Sequence, residues 1–303
     1  MKLSLFHFPF KAMGSSCEVQ LYATDSNQAQ HIAKQAIADV QRIEQRYSRY
    51  RKDSVISAIN RVAARAGSIE IDEETLALLN YANTCYHQSD GLFDISSGVL
   101  RELWDFKTLI IPKEKQIKAI LPRIGWDKVI IKGMQLSFLE HGMQLDFGGI
   151  GKEYAVDRAA ALCQNLGVGH GMVDLGGDIK VIGPHPDGRP WSVGIRHPRK
   201  EGQLMASINV SRGGIASSGD YERCIVLKGK RYSHILNPKT GWPVRGLSSI
   251  TVVAEQCVMA GSLTTISMLK ERKGKKWLKE LGLAYIWMDS RGKVGGSLKT
   301  NEK

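Results

Sequence analysis

The chain has 303 residues, 43% hydrophobic and 24% charged, which is enough apolar content for a substantial core, and no apolar run reaches the length of a membrane span. Its 42 basic and 30 acidic residues leave a net charge of +12, yet the basic residues are dispersed except at Lys270–Lys276 and lack interleaved aromatics, which argues against nucleic acid and for an anionic small molecule or an acidic protein partner. Cys17, Cys85, Cys163, Cys224 and Cys257 stand singly without zinc or dithiol spacing, and the opening segment is broken by His7 and Pro9 with no small-residue cleavage site; the expected compartment is the reducing cytoplasm.

In chain order, apolar residues at helical spacing from Ala29 to Ile43 predict an amphipathic helix over Asn27–Tyr47, with Asp25 or Ser26 as cap. A second helix is expected over Asp72–Ser89, opened by Asp72-Glu73-Glu74 and stopped at Ser89-Asp90-Gly91. Short strands follow at Val129–Lys132, Met134–Phe138 and Met143–Phe147, then a helix at Lys152–Leu166 closed by Gly167. Further strands are expected near 171–173, 180–182, 191–196, 205–210, 250–254 and 284–288, with a helix at about 258–281. Lys228-Gly229-Lys230 reads as a hairpin turn that would bring Asp220 and His234 to the same end. The order is mixed and hairpin-rich with inserted helices, so the fold class is α+β with largely antiparallel sheets. It forms a single domain or two merged lobes of about 1–125 and 126–295, with 296–303 as a disordered tail.

Three acidic residues stand close to glycines at strand ends. Asp146 precedes Gly148-Gly149-Ile150-Gly151-Lys152, where three glycines enter a helix and make an anion seat with a lysine at its rim. This is neither a Walker loop nor a dinucleotide fingerprint. Asp178 follows Gly176-Gly177, a pair that marks a bulge or a close approach. Asp220 follows Gly219; such repeated placement suits a magnesium–phosphate site.

Seven blocks in order carry a family resemblance: Met13-Gly14-Ser15, Ser48–Ser54 with Asn60, Gly91–Ile95, Asp146–Asp157, Gly176-Gly177-Asp178, Ser217–Glu222 and Tyr232–Gly241. The chain resembles the ApbE family of FAD:protein FMN transferases. The resemblance implies an ApbE-like fold and magnesium-dependent transfer of the FMN half of FAD to a threonine or serine hydroxyl of an acceptor flavoprotein, releasing AMP. By that resemblance Met13, Tyr50, Leu92, Phe93, Asp94, Asp146, Lys152, Asp178, Ser218 and His234 line the FAD site. The Mg2+ ion would be held by the Gly149 carbonyl and by the Ala260-Gly261-Ser262-Leu263-Thr264-Thr265 block. Thr265 keeps a hydroxyl there, but Gly261 stands where the family has a metal-binding aspartate.

The expected chemistry gives His234 the role of accepting the acceptor hydroxyl's proton, with Asp220 orienting the imidazole. Lys152 and the amides of Gly148–Gly151 would supply charge stabilisation. The competing expectation is an FAD-binding or FAD-hydrolysing relative, its metal site weakened by Gly261.

Overall fold

The computed structural model describes residues 2–108 and 110–299. The chain opens with a hairpin of β1 (Ser4–Ala12) and β2 (Ser15–Ala23), followed by α1 (Ser26–Tyr47), α2 (Val55–Ala63), β3 (Ser68–Glu70), α3 (Glu73–Gln88) and α4 (Glu114–Ile120). Next come β4 (Val129–Lys132), β5 (Gln135–Phe138), α5 (Gly151–Asn165), β6 (Gly171–Leu175), β7 (Asp178–Gly183), β8 (Trp191–Arg196), β9 (Leu204–Val210) and β10 (Gly213–Gly219). The last third holds β11 (Cys224–Leu227), β12 (Lys230–Ser233), β13 (Leu247–Ala254), α6 (Cys257–Leu269), α7 (Gly274–Glu280), β14 (Ala284–Asp289) and β15 (Val294–Gly296).

An eight-stranded sheet in the order β1-β2-β6-β7-β10-β13-β14-β15 is the frame, and every neighbouring pair in it is antiparallel. The amino-terminal hairpin therefore belongs to the same sheet as the carboxy-terminal strands, which ties together the two stretches expected as lobes. Alternation along the strands sends side chains to opposite faces. Ala216, Ile250 and Val252 join the core with α1, α5 and α6, whereas Val181, Ile215 and Ile286 meet the β8–β9 ribbon on the other face. A third cluster around Trp104 holds Val99, Leu100, Ile117 and Ile120. Its indole N–H donates to the Gly241 carbonyl at 2.9 Å, which fixes the segment after β12 against the 98–124 stretch.

The amino terminus of α1 carries its expected cap, and that of α3 is capped by Asp72, the first of the acidic residues expected to open it. Asp25 accepts from the Gln28 amide at 2.9 Å and Asp72 from the Thr75 amide at 2.8 Å. For α6 the cap comes from another helix: Asp157 of α5 accepts from the Cys257 amide at 2.9 Å and the Val258 amide at 2.8 Å. Stepping one turn back on α5 from Asp157 reaches Glu153, and one turn forward on α6 from Cys257 reaches Gly261. The helices run antiparallel there, and an ideal Cβ on Gly261 would stand only 2.6 Å from Glu153 Cγ.

Four expectations change. Met143–Phe147 is not a strand: the Leu145 amide donates to Asn60 Oδ1 at 2.7 Å, the Leu145 carbonyl accepts from Asn60 Nδ2 at 3.0 Å, and the Asp146 amide donates to the Ile95 carbonyl at 2.9 Å. A side chain and a loop satisfy the backbone that a ladder would otherwise use. The single helix expected over 258–281 is two, because Glu271 adopts a left-handed φ of 50° and its carboxylate accepts from the Arg245 amide at 2.8 Å. Gly176 and Gly177, at φ 69° and 96°, form a two-residue turn between β6 and β7 rather than a bulge within a strand, while the expected close approach is to Ser15, 2.8 Å from where a Gly176 Cβ would stand. The expected tail begins in structure: Gly296 ends β15 and the Ser297 and Leu298 amides both donate to the Tyr285 carbonyl. Residues 300–303 lie outside the described residues.

Asp157→Ala removes both amide acceptors at the start of α6, and the chain should lose about 1–2 kcal/mol of stability, read as a lower midpoint in urea denaturation with an unchanged slope. An unaltered midpoint would show that α6 does not need this cap.

Candidate functional site

A cavity of about 490 Å³ opens between the sheet's β10 end, the glycine loop before α5, and the loops after α1, α3 and β12. Met13, Tyr50, Leu92, Phe93, Asp94, Asp146, Gly149, Lys152, Asp178, Ser218, His234 and Thr265 all line it. Seven sequence blocks separated by more than two hundred residues thus contribute to one pocket. Asp220 and Gly261 are not among its lining residues.

Much of the lining is already committed to holding the pocket's shape. Met13 sits in a left-handed turn with its amide donating to Glu44 Oε1 at 2.7 Å. The Asp94 carboxylate accepts from the Ser96 amide and hydroxyl at 2.8 and 2.6 Å and from the Trp126 amide at 3.1 Å, so it organises the turn carrying Leu92 and Phe93. Asp146 is paired with Arg49 at 2.8 Å, a partner within the second block that the motif reading did not single out. Ser218 Oγ lies 2.9 Å from Thr264 Oγ1 and 3.5 Å from Thr265 Oγ1, which joins β10 to α6 at the cavity wall. Tyr50 contrasts with these residues: its ring is 81% exposed at the rim, an unshared flat surface.

The glycine loop is less of an anion cradle than its composition suggests. The Gly148 amide donates to Asp146 Oδ1 at 2.9 Å, and the Ile150 and Gly151 amides donate to the Phe147 carbonyl. With these donors spent, the charge must come from side chains. Lys152 reaches Asp178 at 2.6 Å, and although burial works against its charge, the Asp178 carboxylate holds the ammonium above the ordinary lysine range. Glu153, the next residue, is buried; that burial, and then Asp178, push its carboxyl well up. Its Oε2 is a buried oxygen with no hydrogen-bond partner among the described residues.

His234 stands on the opposite side of this pair in charge terms. Burial, then the guanidinium charges of Arg101 and Arg223, lower its pKa to about 4. The ring is therefore neutral near pH 7, and its Nδ1 is buried without a partner. Arg101 and Arg223, which sequence reasoning passed over, line the cavity, and neither forms an ion pair among the described residues. Arg223 falls one residue after a motif block, and Arg101 lies in a short turn with no motif of its own, so neither carried a signal.

Two expected roles need correction. Asp220 does not orient His234: its two oxygens accept from Arg199 at 2.6 and 2.7 Å in a forked pair, and its amide donates to the Ser248 carbonyl. The hairpin does bring the two residues to one end, where the His234 amide donates to the Arg223 carbonyl, but Arg199 draws the carboxylate away. Gly261 offers no ligand oxygen from a side chain and is covered by Glu153, whose Cδ and Oε1 lie 2.9 Å from the place a Cβ would take. Among the described residues no group of three or more His, Cys, Asp or Glu side chains is placed to hold a metal ion.

A model of the ApbE family matches residues 13–287. A curated relative, the FAD:protein FMN transferase of Escherichia coli (strain K12), is 28% identical over 301 residues, spanning 96% of this chain and 85% of that protein. The solved ApbE protein of Thermotoga maritima is similar with a TM-score of 0.88 at 31% identity, over 97% of each chain. The flavin transferase ApbE from Vibrio cholerae is similar with a TM-score of 0.86 at 25% identity, over 98% of each chain.

The His234 environment has a measurable sign. Its folded pKa lies below the unfolded value of 6.5, so the folded chain binds fewer protons between pH 6.5 and 4 and should lose stability as pH falls through that window. Ring-carbon NMR shifts should report a neutral imidazole at pH 6 with a midpoint near 4. Arg101→Gln should raise that midpoint, and Asp220→Asn should leave it in place; a shift with Asp220→Asn alone would restore the carboxylate–imidazole pairing that the geometry denies.

Proposed function

Because the chain belongs to the ApbE family, we propose that it transfers the FMN half of FAD to a threonine or serine hydroxyl of an acceptor protein, releases AMP, and uses magnesium to do so. The observation that carries the reading is the gathering of uncompensated arginines, a neutral histidine and acidic groups in one cavity. Arg101 and Arg223, which form no ion pair among the described residues, and a neutral His234 line it together with the Lys152–Asp178 pair and the Glu153 carboxyl, whose Oε2 has no hydrogen-bond partner among the described residues. A dianionic diphosphate would complement the arginine charge, and a divalent cation the acidic groups.

The transfer forms a bond from the acceptor oxygen to the FMN phosphorus and breaks the bond from that phosphorus to the oxygen leaving with AMP. His234 accepts the proton from the attacking hydroxyl. In the free protein its pKa near 4 makes it a weak base, and the negative charge of bound diphosphate, which offsets Arg101 and Arg223, moves that pKa back toward neutrality, where base catalysis is effective. Its unpinned Nδ1 leaves either ring nitrogen able to carry the proton. Arg101 and Arg223 bind the phosphate oxygens and hold the phosphorus in line with the hydroxyl. Lys152, kept charged by Asp178, adds positive charge at the start of α5. The exposed Tyr50 ring offers a stacking surface for one of FAD's two ring systems at the rim.

Magnesium suits the oxygens present: Gly149, Asp178 and Thr265 bring carbonyl, carboxylate and hydroxyl to the same cavity, and the ion needs only one or two carboxylates when phosphates supply the rest. When bound it neutralises charge on the phosphoryl group being transferred.

Incubation with FAD, Mg2+ and an acceptor should raise the acceptor's mass by one FMN group and release AMP in equal amount. His234→Ala should cut kcat by about 10²–10⁴-fold with FAD affinity little changed; equal losses in both would make the histidine a binding residue. Arg101→Ala with Arg223→Ala should instead weaken FAD binding, seen by flavin fluorescence. AMP release that ignores the acceptor would favour hydrolysis, and failure to bind FAD would end the transferase reading.

A further inference from the structure

Glu153 is a buried cavity carboxyl to which the proposed chemistry assigns no step. It is only 8% exposed, it lines the cavity, and its Oε2 has no hydrogen-bond partner among the described residues. A buried carboxyl oxygen with nothing to accept from is costly, and such atoms in folded chains have a reason.

The reason lies in how α5 and α6 meet. The Asp157 carboxylate on the Cys257 and Val258 amides sets the register of the two helices, which brings Glu153 opposite Gly261 one turn along each. Gly261 has no Cβ, and the Glu153 side chain runs through the space one would fill, with Cγ, Cδ and Oε1 at 2.6, 2.9 and 2.9 Å from that point. A carboxyl group therefore stands where an acidic side chain of residue 261 would begin, but it arrives from the neighbouring helix. Asp178, Thr265 and Gly149 border the same cavity.

We infer that Glu153 supplies from α5 the carboxylate that residue 261 lacks, and that it is an anionic ligand of the divalent cation in this chain alongside Asp178. The inference rests on the transferase reading for the presence of the cation, but the exchange of donor between helices belongs to these two residues. It removes the expectation of a weakened metal site, since the hard anionic oxygen missing at Gly261 is returned by Glu153. It also makes the pair reciprocal. A side chain at 261 requires Glu153 to move, so Gly261→Asp alone forces two carboxyl groups into one volume.

Mn2+ binding, followed by electron paramagnetic resonance and by the metal-induced rise in melting temperature, tests this without turnover, alongside metal-free FAD binding by flavin fluorescence. Glu153→Gln, which keeps the shape, should weaken Mn2+ binding at least tenfold, abolish the metal-induced rise, and leave metal-free FAD affinity within about twofold. The exchange variant Glu153→Gly with Gly261→Asp should recover Mn2+ affinity to within about threefold of the starting chain, while Gly261→Asp alone should not improve it. Mn2+ affinity unchanged in Glu153→Gln, or no Mn2+ binding by the starting chain, overturns the inference; if FAD still binds, the transferase reading survives that failure. Loss of affinity in Glu153→Gln with no recovery in the exchange variant also overturns it, because Glu153 would then act other than as a replacement for residue 261.

Discussion

The bridge from Asp157 to the first two amides of α6 is the contact on which the rest of the site depends. A helix start leaves several N–H groups unsatisfied, and Gln256 at the cap position makes no side-chain hydrogen bond to them. Satisfying them from α5 locks the two helices in antiparallel register and so sets which side chains meet one turn farther along. At that turn the absence of a single Cβ decides what occupies the cavity wall. Lys152, Glu153 and Asp157 belong to consecutive turns of one helix, yet they serve three tasks: a paired cation, a buried carboxyl and an interhelical cap.

Burial gives these charges their effect. Burial is the first cause of the low His234 pKa, and the guanidinium charges of Arg101 and Arg223 add to it because a buried site screens them less than water does. The same burial makes isolated charges expensive, and the chain meets that cost by pairing: Arg49 with Asp146, Lys152 with Asp178, Arg199 with Asp220. The groups left without partners are informative for this reason. Arg101 and Arg223, which no carboxylate pairs among the described residues, and the Glu153 Oε2 all belong to one cavity.

The peripheral architecture holds that arrangement at a distance. The Trp104 cluster anchors the segment after β12 through the Gly241 carbonyl, so His234 and its hairpin are positioned from the 98–124 stretch that also carries Arg101. The β8–β9 ribbon covers the opposite face of the large sheet and supplies apolar packing to β7 and β10, the strands that bring Asp178 and Ser218 to the cavity. The eight-stranded sheet can therefore present loops from both ends of the chain to one opening without a separate domain for each.

Local chemistry was readable from residue order alone. Caps at Asp25 and Asp72, the apolar spacing of α1, and the Lys228-Gly229 turn act through neighbours a few residues away, so their outcome follows from the sequence itself. The blocks that line the cavity were likewise visible as ordered motifs. What needed tertiary structure was every choice between competing partners. Asn60 took the backbone of Leu145 from a ladder, Glu271 broke a long apolar helix in two, and Arg199 claimed Asp220 before His234 could. Most of all, a glycine that reads as a missing ligand is, in space, the opening through which Glu153 reaches the cavity. Pairings of this kind join residues from 21 to 108 positions apart, and only packing sets their distance.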